Sequence, residues 1–185
     1  MALQETYYFS LNIDRIPATK IEKFDKKDGT IGARISVLLS MSNETNKWGY
    51  NRYLTLCKNE DEIRDRVKSI YVGSGKLSYG DRDFGCTFKL DIELTKIPRI
   101  YFCKYQKKDG TQGTTIKLCL SSMKSPNIAG DTHTIYTYRT KEQRANPDEY
   151  PLVYVGNGRV AYNPTTQSYH TKPKSAYVED DNAPF

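Results

Sequence analysis

The sequence predicts an all-β protein with one short helix, in which two tandem five-stranded barrels precede a disordered acidic C-terminal tail. An internal repeat and a period-two alternation of apolar and polar residues support this prediction. Residues 6–40 align without a gap on residues 87–121, and 13 of the 35 aligned positions are identical. A second block, residues 69–80, aligns on residues 152–163. The chain therefore contains two diverged copies of one unit.

The repeat also sets the expected domain boundaries. We expect copy one over residues 1–83, copy two over residues 84–163, and a flexible linker with a protein-interaction tip over residues 164–185. The chain has 185 residues, of which 37% are hydrophobic, and this is enough apolar area for compact cores.

The first strand of each copy has apolar residues at every second position, which is the period of a half-buried strand. These residues are Tyr7, Phe9, Leu11 and Ile13 in copy one, and Phe88, Leu90, Ile92 and Leu94 in copy two. A proline then bends the chain in both copies. The Asp-Gly pairs that begin at Asp28 and Asp109 predict a hairpin turn.

A second and a third strand follow each hairpin. The inward positions of the second strand are Ile35, Val37 and Leu39 in copy one, and Ile116, Leu118 and Leu120 in copy two. We expect the third strands near residues 51–57 and 132–139, where the two copies align less well.

A short helix and a glycine-bearing hairpin complete each unit. Residues 59–68 begin with acidic side chains and end with basic ones, which predicts a short helix. Pro147 and Pro151 limit the matching segment of copy two to one turn or a loop. We expect the closing hairpins at residues 73–75 and 156–158, both Gly-X-Gly. Three strands, a helix and two strands is the element order of the oligonucleotide-binding (OB) fold, a five-stranded barrel that holds single strands.

The composition suits a protein that binds nucleic acid. Fifteen Tyr and six Phe accompany 28 Lys plus Arg, and the formal net charge is +6 at pH 7. Basic groups can follow phosphates while aromatic rings stack on bases, although strands also favour Tyr for packing alone. The net charge is +2 in residues 1–83 and +5 in residues 84–164, so we expect copy two to contribute more of the phosphate contacts.

The C-terminal tip reverses the sign of this charge. Residues 1–178 have a net charge of +9, and the acidic cluster and Pro-Phe that follow are Glu179, Asp180, Asp181, Asn182, Ala183, Pro184 and Phe185. Such a segment cannot bury enough area to fold alone, so we expect a partner protein with a basic-rimmed apolar pocket to capture it. The alternative interpretation is a frayed, solvated terminus.

The tip and copy one resemble the bacterial and phage single-stranded DNA-binding proteins. The resemblance covers residues 5–80, where the segment 33–77 has that family's succession of strand, polar loop with Trp, basic strand start, helix and glycine-bearing hairpin. It implies protection of single-stranded DNA in replication, recombination and repair, with replication and repair proteins recruited by the tip. It also implies a bacterial cytoplasm and a bacterial or phage gene. Members of that family usually have one barrel per chain, followed by a long linker, and assemble as a four-barrel tetramer. With two barrels expected per chain, a monomer and a homodimer supplying four barrels both fit this sequence.

Aromatic residues beside basic ones are the predicted nucleic-acid-binding residues. They are Trp48, Tyr50, Arg52, Tyr53, Phe24, Lys23, Lys26, Lys27, Arg34, Tyr71, Lys76, Tyr105, Lys104, Lys107, Lys108, Tyr154 and Arg159. Trp48 lies in a polar loop and either stacks on a base or anchors the loop. Phe24 and Tyr105 are equivalent residues in the two copies and either stack or pack across their hairpins.

Other tyrosines admit a second interpretation. Tyr71 and Tyr154 have the parity that points away from the core, as ordinary surface tyrosines also have. Tyr136 and Tyr138 share one face of a strand and Arg139 the other, and at least one of these two sets is expected to be core.

No cofactor, metal site or enzymatic activity is expected. Cys57, Cys86, Cys103 and Cys119 occur singly, and His133 and His170 are the chain's histidines. The carboxylates of residues 60–65 are better explained by a helix start than by a nuclease metal site. No apolar run approaches the length of a membrane span and no secretion signal is evident, so we expect a cytoplasmic protein. The rival functions are a structural or protein-binding duplicated β protein, such as one from a virus particle, and an RNA-binding OB protein.

Overall fold

The structure, a computed structural model, describes residues 5–167 and is mostly β. Its strands are β1 (Thr6–Asn12), β2 (Glu22–Asp25), β3 (Ile31–Met41), β4 (Arg52–Leu56), β5 (Tyr71–Tyr79), β6 (Thr87–Glu93), β7 (Phe102–Gln106), β8 (Gln112–Ser122), β9 (His133–Thr137) and β10 (Tyr154–Tyr162). Its helices are α1 (Glu60–Arg64), α2 (Lys141–Ala145) and α3 (Pro164–Gln167). Within residues 5–167 no helix combines the length and the apolar character needed to cross a membrane. The predicted tip, residues 179–185, lies outside the described residues.

Eight strands form one closed antiparallel barrel. The order around the barrel is β1-β5-β4-β3-β6-β10-β9-β8, and β8 pairs with β1 to close it. The short strands β2 and β7 lie outside this ring and pair with β3 and β8. The two separate five-stranded barrels of the sequence prediction are not confirmed, because each copy supplies four strands to a shared barrel. The domain boundaries at residues 83 and 163 stay a prediction.

The two junctions between the copies explain why the barrel closes in this way. Each copy by itself is a four-stranded antiparallel sheet with two edges of unpaired N–H and C=O groups. Pairing β3 with β6 and β8 with β1 satisfies both edges of both sheets. Equivalent strands lie four positions apart in the ring, so the copies are related by an approximate half-turn about the barrel axis.

The barrel interior is filled by the alternating apolar residues of the repeat. Tyr7, Phe9 and Leu11 of β1 are at most 1% exposed, and so are their equivalents in β6. The predicted inward residues of β3 and β8 are equally buried, so the period-two prediction is confirmed there. Ile13 and Leu94 lie beyond the strand ends in single 3-10 turns and pack at the edge of this core.

The Asp-Gly hairpins are confirmed. The backbone N–H of Thr30 donates to Asp28 Oδ1 at 2.9 Å, and Gly29 adopts a φ of 81°, which favours glycine. The turn that contains Asp109 repeats this geometry, with a φ of 82° at Gly110.

The predicted Gly-X-Gly hairpins are wrong, because residues 73–75 and 156–158 lie inside the continuous strands β5 and β10. The glycines are required by a close approach of strands. A Cβ at Gly73 would lie 1.9 Å from Ser10 O, and one at Gly156 would lie 2.0 Å from Asp91 O. Glycine in a strand often marks such an approach where a barrel turns sharply.

The two copies have helices of equal length. Asn59 and Glu62 form a capping box on α1, and Thr140 and Gln143 form one on α2. Helix α1 ends at Arg64 and the chain turns at Arg66, with a φ of 53°, so it is shorter than the predicted residues 59–68. Helix α2 has five residues, little more than one turn, so the one-turn alternative of the prediction is confirmed.

The close approach at Gly73 makes a testable prediction. Gly73→Ala should lower the free energy of unfolding by about 1–3 kcal/mol or more, because β1 and β5 must separate to accommodate a methyl group. Ser74→Ala in the same strand is the control and should change it by less than about 0.5 kcal/mol. Urea unfolding measures both variants. Equal stability of the two variants would contradict this packing.

Candidate nucleic-acid interface

A cluster of tyrosines lies on the outside of the barrel at the β8–β1 junction. Tyr8 points outward because its neighbours Tyr7 and Phe9 are buried in the barrel. Its ring centroid lies 4.9 Å from that of Tyr138 in an edge-to-face contact and 6.2 Å from that of Tyr50 in a stacked one. Tyr138 is placed by its backbone N–H, which donates to Lys117 O at 3.0 Å.

Two lysines lie beside these rings. Lys76 is opposite Tyr8 in the β1–β5 register, and its Nζ lies 5.2 Å from the centroid of the Tyr50 ring. Lys117 is exposed on β8, opposite Ser10 of β1. We define Tyr8, Tyr50, Tyr138, Lys76 and Lys117 as the aromatic face.

The electrostatics of Tyr50 reflect this arrangement. Partial burial raises the pKa of Tyr50, and the neighbouring Tyr8 raises it further. The positive charges of Lys76 and Lys117 act in the opposite direction on this pKa. Both ammonium groups therefore lie close enough to the Tyr50 hydroxyl to act on it.

The loop that contains Tyr50 also presents Trp48. Asn46 Oδ1 accepts hydrogen bonds from the backbone N–H groups of Trp48 and Tyr50, each at 3.0 Å. The Trp48 side chain is 65% exposed, and Lys47 Nζ lies 4.3 Å from the ring centroid. A ring that anchored the loop would be buried, so this exposure favours the stacking interpretation.

Two further tyrosine pairs flank the aromatic face on neighbouring strands. Tyr53 contacts Tyr71 with 5.6 Å between ring centroids, and Tyr136 contacts Tyr154 at 6.0 Å. Tyr71 and Tyr154 are 50% and 60% exposed. The buried residues of β9 are His133, Ile135 and Thr137, so Tyr136 and Tyr138 are not core.

The aromatic residues of the two hairpins pack across their own strands. The Phe24 ring covers Gly32, where a Cβ would lie 2.4 Å from Phe24 Cζ. Tyr105 covers Gly113 in the same way. Both rings are partly buried, and this favours the packing interpretation. Arg34, which also contacts the Phe24 ring, is held by two hydrogen bonds to Glu22 at 2.9 and 2.6 Å.

The hairpin lysines are divided between ion pairs and solvent. Lys26 pairs with Glu93 at 2.9 Å and Lys107 with Asp14 at 2.5 Å, each across the two copies. Lys23, Lys27, Lys104 and Lys108 are exposed. The first hairpin and the Trp48 loop lie at opposite ends of the 11-residue β3, about 33 Å apart along the strand. The structure does not bring the hairpin residues onto the aromatic face.

Arg52 cannot serve as a phosphate ligand, which corrects its prediction as a binding residue. It is only 2% exposed because it shares the inward face of β4 with Leu54 and Leu56. Its guanidinium donates to both carboxylate oxygens of Asp83 and to Cys86 O at 2.6 Å. It also lies 4.6 Å from the centroid of the Tyr7 ring. Arg52 is therefore part of the barrel core.

The partner carboxyl of Arg52 is held ionised. Burial of Asp83 opposes ionisation, but hydrogen bonds from Arg52 and the Gly85 N–H, together with the positive charge of Arg52, lower the pKa of Asp83.

Arg159, another predicted nucleic-acid ligand, is exposed and lies 3.7 Å from Asp131.

Sequence reasoning missed three members of the aromatic face: Tyr8, Tyr138 and Lys117. The outward parity of Tyr8 and Lys117 was readable from the alternating pattern. Their proximity was not, because nothing in the sequence pairs β1 of copy one with β8 of copy two.

The four cysteines are free, and no cluster of three His, Cys, Asp or Glu side chains suited to a metal occurs within residues 5–167. Burial raises the pKa of Cys119, which lies under the aromatic face, to about 11.

No protein-family model, curated protein or solved structure matches this chain.

The Arg52–Asp83 pair makes a prediction about stability and pH. Asp83→Asn removes the counter-charge of a buried guanidinium and should lower the free energy of unfolding by about 3–5 kcal/mol near neutral pH. The lowered pKa means that the Asp83 carboxylate stabilises the fold above its ordinary pKa and ceases to do so as the pH falls through the lowered value. The loss of stability on acidification below about pH 4 should therefore be smaller in the variant.

Thermal unfolding as a function of pH measures both effects. Asp81→Asn, at an exposed position two residues earlier, is the matched control and should behave as the unmodified protein does. Unchanged stability of the Asp83→Asn variant would show that the Arg52–Asp83 pair is not needed to stabilise the fold.

Proposed function

We propose that this protein binds single-stranded DNA with little sequence preference and protects it during replication, recombination and repair. The observation that supports this most directly is the aromatic face, where three tyrosine rings lie beside two lysines. The exposed Trp48 and its neighbour Lys47 extend this surface from the same loop as Tyr50.

The chemistry of the aromatic face matches the needs of an unpaired strand. Stacking of a base on an aromatic side chain contributes about 1–3 kcal/mol and tolerates any base, because every base has a π-face. Tyr8, Tyr50 and Tyr138 are partly exposed, so their rings are accessible in part. Within residues 5–167 neither Lys76 nor Lys117 is held by a carboxylate, so both ammonium groups are available to phosphates.

The proposal also concerns how each copy relates to the OB fold. Each copy supplies strands and a short capped helix in an order close to that of the OB fold. We regard each copy as an OB-like unit whose sheet is completed by the other copy. The single-strand surface then spans the junction between the units.

The acidic Pro-Phe segment, residues 179–185, supports a second part of the proposal. We infer that it recruits replication and repair proteins in a bacterial cytoplasm while the barrel holds the DNA. Deleting Asn182 to Phe185 should abolish partner capture and leave the affinity for oligo-dT equal or slightly higher, because the deletion removes none of the aromatic face. Binding titrations and partner pull-down measure the two activities. A large loss of DNA affinity on deletion would contradict this division.

A substitution at Tyr50 tests the binding surface itself. Tyr50→Ala should weaken binding to oligo-dT by about 5- to 150-fold, the equivalent of one lost stacking contact. Tyr50→Phe keeps the ring and should bind nearly as the unmodified protein does. Quenching of Trp48, the single Trp of the chain, gives the binding curve.

Tyr162→Ala is the matched control, because Tyr162 is an exposed tyrosine at the end of β10, away from the aromatic face. It should leave the affinity within about twofold. Parallel titrations with oligo-rU and duplex DNA define the class of nucleic acid. Unchanged binding by Tyr50→Ala, or no binding of oligo-dT by the unmodified protein, would reject the proposal and favour a structural role.

A further inference from the structure

The half-turn that relates the two copies creates a second position equivalent to the aromatic face, at the β3–β6 junction. The register shows the equivalence directly. Tyr8 lies opposite Lys76 in β1–β5, and Lys89 lies opposite Arg159 in β6–β10. Ser10 lies opposite Lys117 in β1–β8, and Asp91 lies opposite Ser36 in β3–β6.

The loops that cover the two junctions are also equivalent. Asn46 N–H donates to Tyr50 O in copy one, and Asn127 N–H donates to Asp131 O in copy two. Asp131 therefore occupies the position of Tyr50. Likewise, Cys57 N–H donates to Ser36 O as Tyr138 N–H donates to Lys117 O. We define Lys89, Asp131, Cys57, Arg159 and Ser36, with the neighbouring Asp91, as the second face.

The second face has no aromatic ring among its own residues, and the Phe24 ring that lines the adjoining groove is packed on Gly32. Its residues at the positions of Tyr8, Tyr50 and Tyr138 are Lys89, Asp131 and Cys57, so every ring is replaced. The loop position of Trp48 is taken by Ala129. A strand laid over this junction would meet no aromatic ring at the equivalent positions.

The second face also places carboxylates among its cations. Asp131 is buried, accepts a hydrogen bond from Asn127 Nδ2 at 3.0 Å, and lies 3.7 Å from Arg159. The junction forms a groove of about 550 Å³. The ionisable side chains that line it are Glu22, Arg34, Lys89, Asp91, Glu93, Lys96 and Asp131. Four carboxylates and three cations give this groove no excess positive charge for a polyanion.

We infer that each chain holds one single strand, on the aromatic face, and that the second face does not bind nucleic acid, so that Arg159, a ligand in the sequence prediction, is not one. This inference rests on the proposed function and adds its stoichiometry and location. The duplication would otherwise provide two sites per chain. Because each face has two cationic side chains, Lys76 and Lys117 on the aromatic face and Lys89 and Arg159 on the second face, the two alternatives can be separated by experiment.

The test compares two double variants that remove the same charge. Lys76→Ala with Lys117→Ala alters the aromatic face, and Lys89→Ala with Arg159→Ala alters the second face. The first should lower the affinity for oligo-dT and reduce the slope of log affinity against log salt by about 1.4, or 0.7 for each lost phosphate contact. The second should leave the affinity within about twofold and the slope unchanged.

Stoichiometry gives an independent readout. Native mass spectrometry with an oligo-dT of about eight nucleotides, within the range that one such barrel covers, should show one oligonucleotide per chain at saturation. Two oligonucleotides per chain, or equal losses in the two double variants, would overturn the inference while leaving the proposed function intact. No binding by the unmodified protein would reject both. Urea unfolding of each double variant confirms that the barrel is intact.

Discussion

The pairing of strands between the two copies is the constraint on which the rest of the structure depends. One copy alone is a curved four-stranded sheet with both edges unpaired, and such edges are costly to leave open. The β8–β1 and β3–β6 pairings close both edges and bring two apolar faces together around one interior. The ion pairs Lys26–Glu93 and Lys107–Asp14 fasten each hairpin to the opposite copy. The repeat therefore supplies two half-barrels, and each needs the other to pair its edge strands.

The two copies have diverged inside the barrel as well as outside it. Arg52 and His133 are equivalent residues, and both are buried at the end of the barrel that lies under the Trp48 loop. Arg52 is neutralised by Asp83, whereas His133 lies 3.4 Å from Glu5, which also accepts a hydrogen bond from the Tyr7 hydroxyl at 3.0 Å. The hydrogen bond with His133 lowers the pKa of Glu5 against the opposing effect of burial. Different polar side chains thus occupy the same buried position in the two copies, each with its own carboxylate partner. The two copies therefore share the burial of this position but not the chemical identity of its residue.

On the outside of the barrel, the divergence of equivalent residues gives the two junctions different chemistry. The aromatic face is built from both copies: Tyr8, Tyr50 and Lys76 come from copy one, and Tyr138 and Lys117 come from copy two. Neither copy contains the cluster by itself, so an aromatic surface of this kind exists only after the barrel closes. The equivalent residues at the β3–β6 junction are polar and partly acidic, although they have the same backbone positions. A single duplication can in this way give one aromatic face and one polar face on the same scaffold.

The sequence by itself determined the repeat, the inward residues of the strands, the Asp-Gly turns and the presence of a helix in copy one. These features depend on local rules, such as the alternation of strand side chains and the backbone preferences of glycine, and the printed residues express them directly. Only the tertiary structure decided which strands are neighbours. The same alternation fits two small barrels or one shared barrel, because it fixes the face of each residue and not the partner of each strand. That choice buried Arg52, placed Gly73 and Gly156 inside strands, and joined Tyr8 to Tyr138 across the copies, since each of these outcomes depends on contacts between residues distant in the chain.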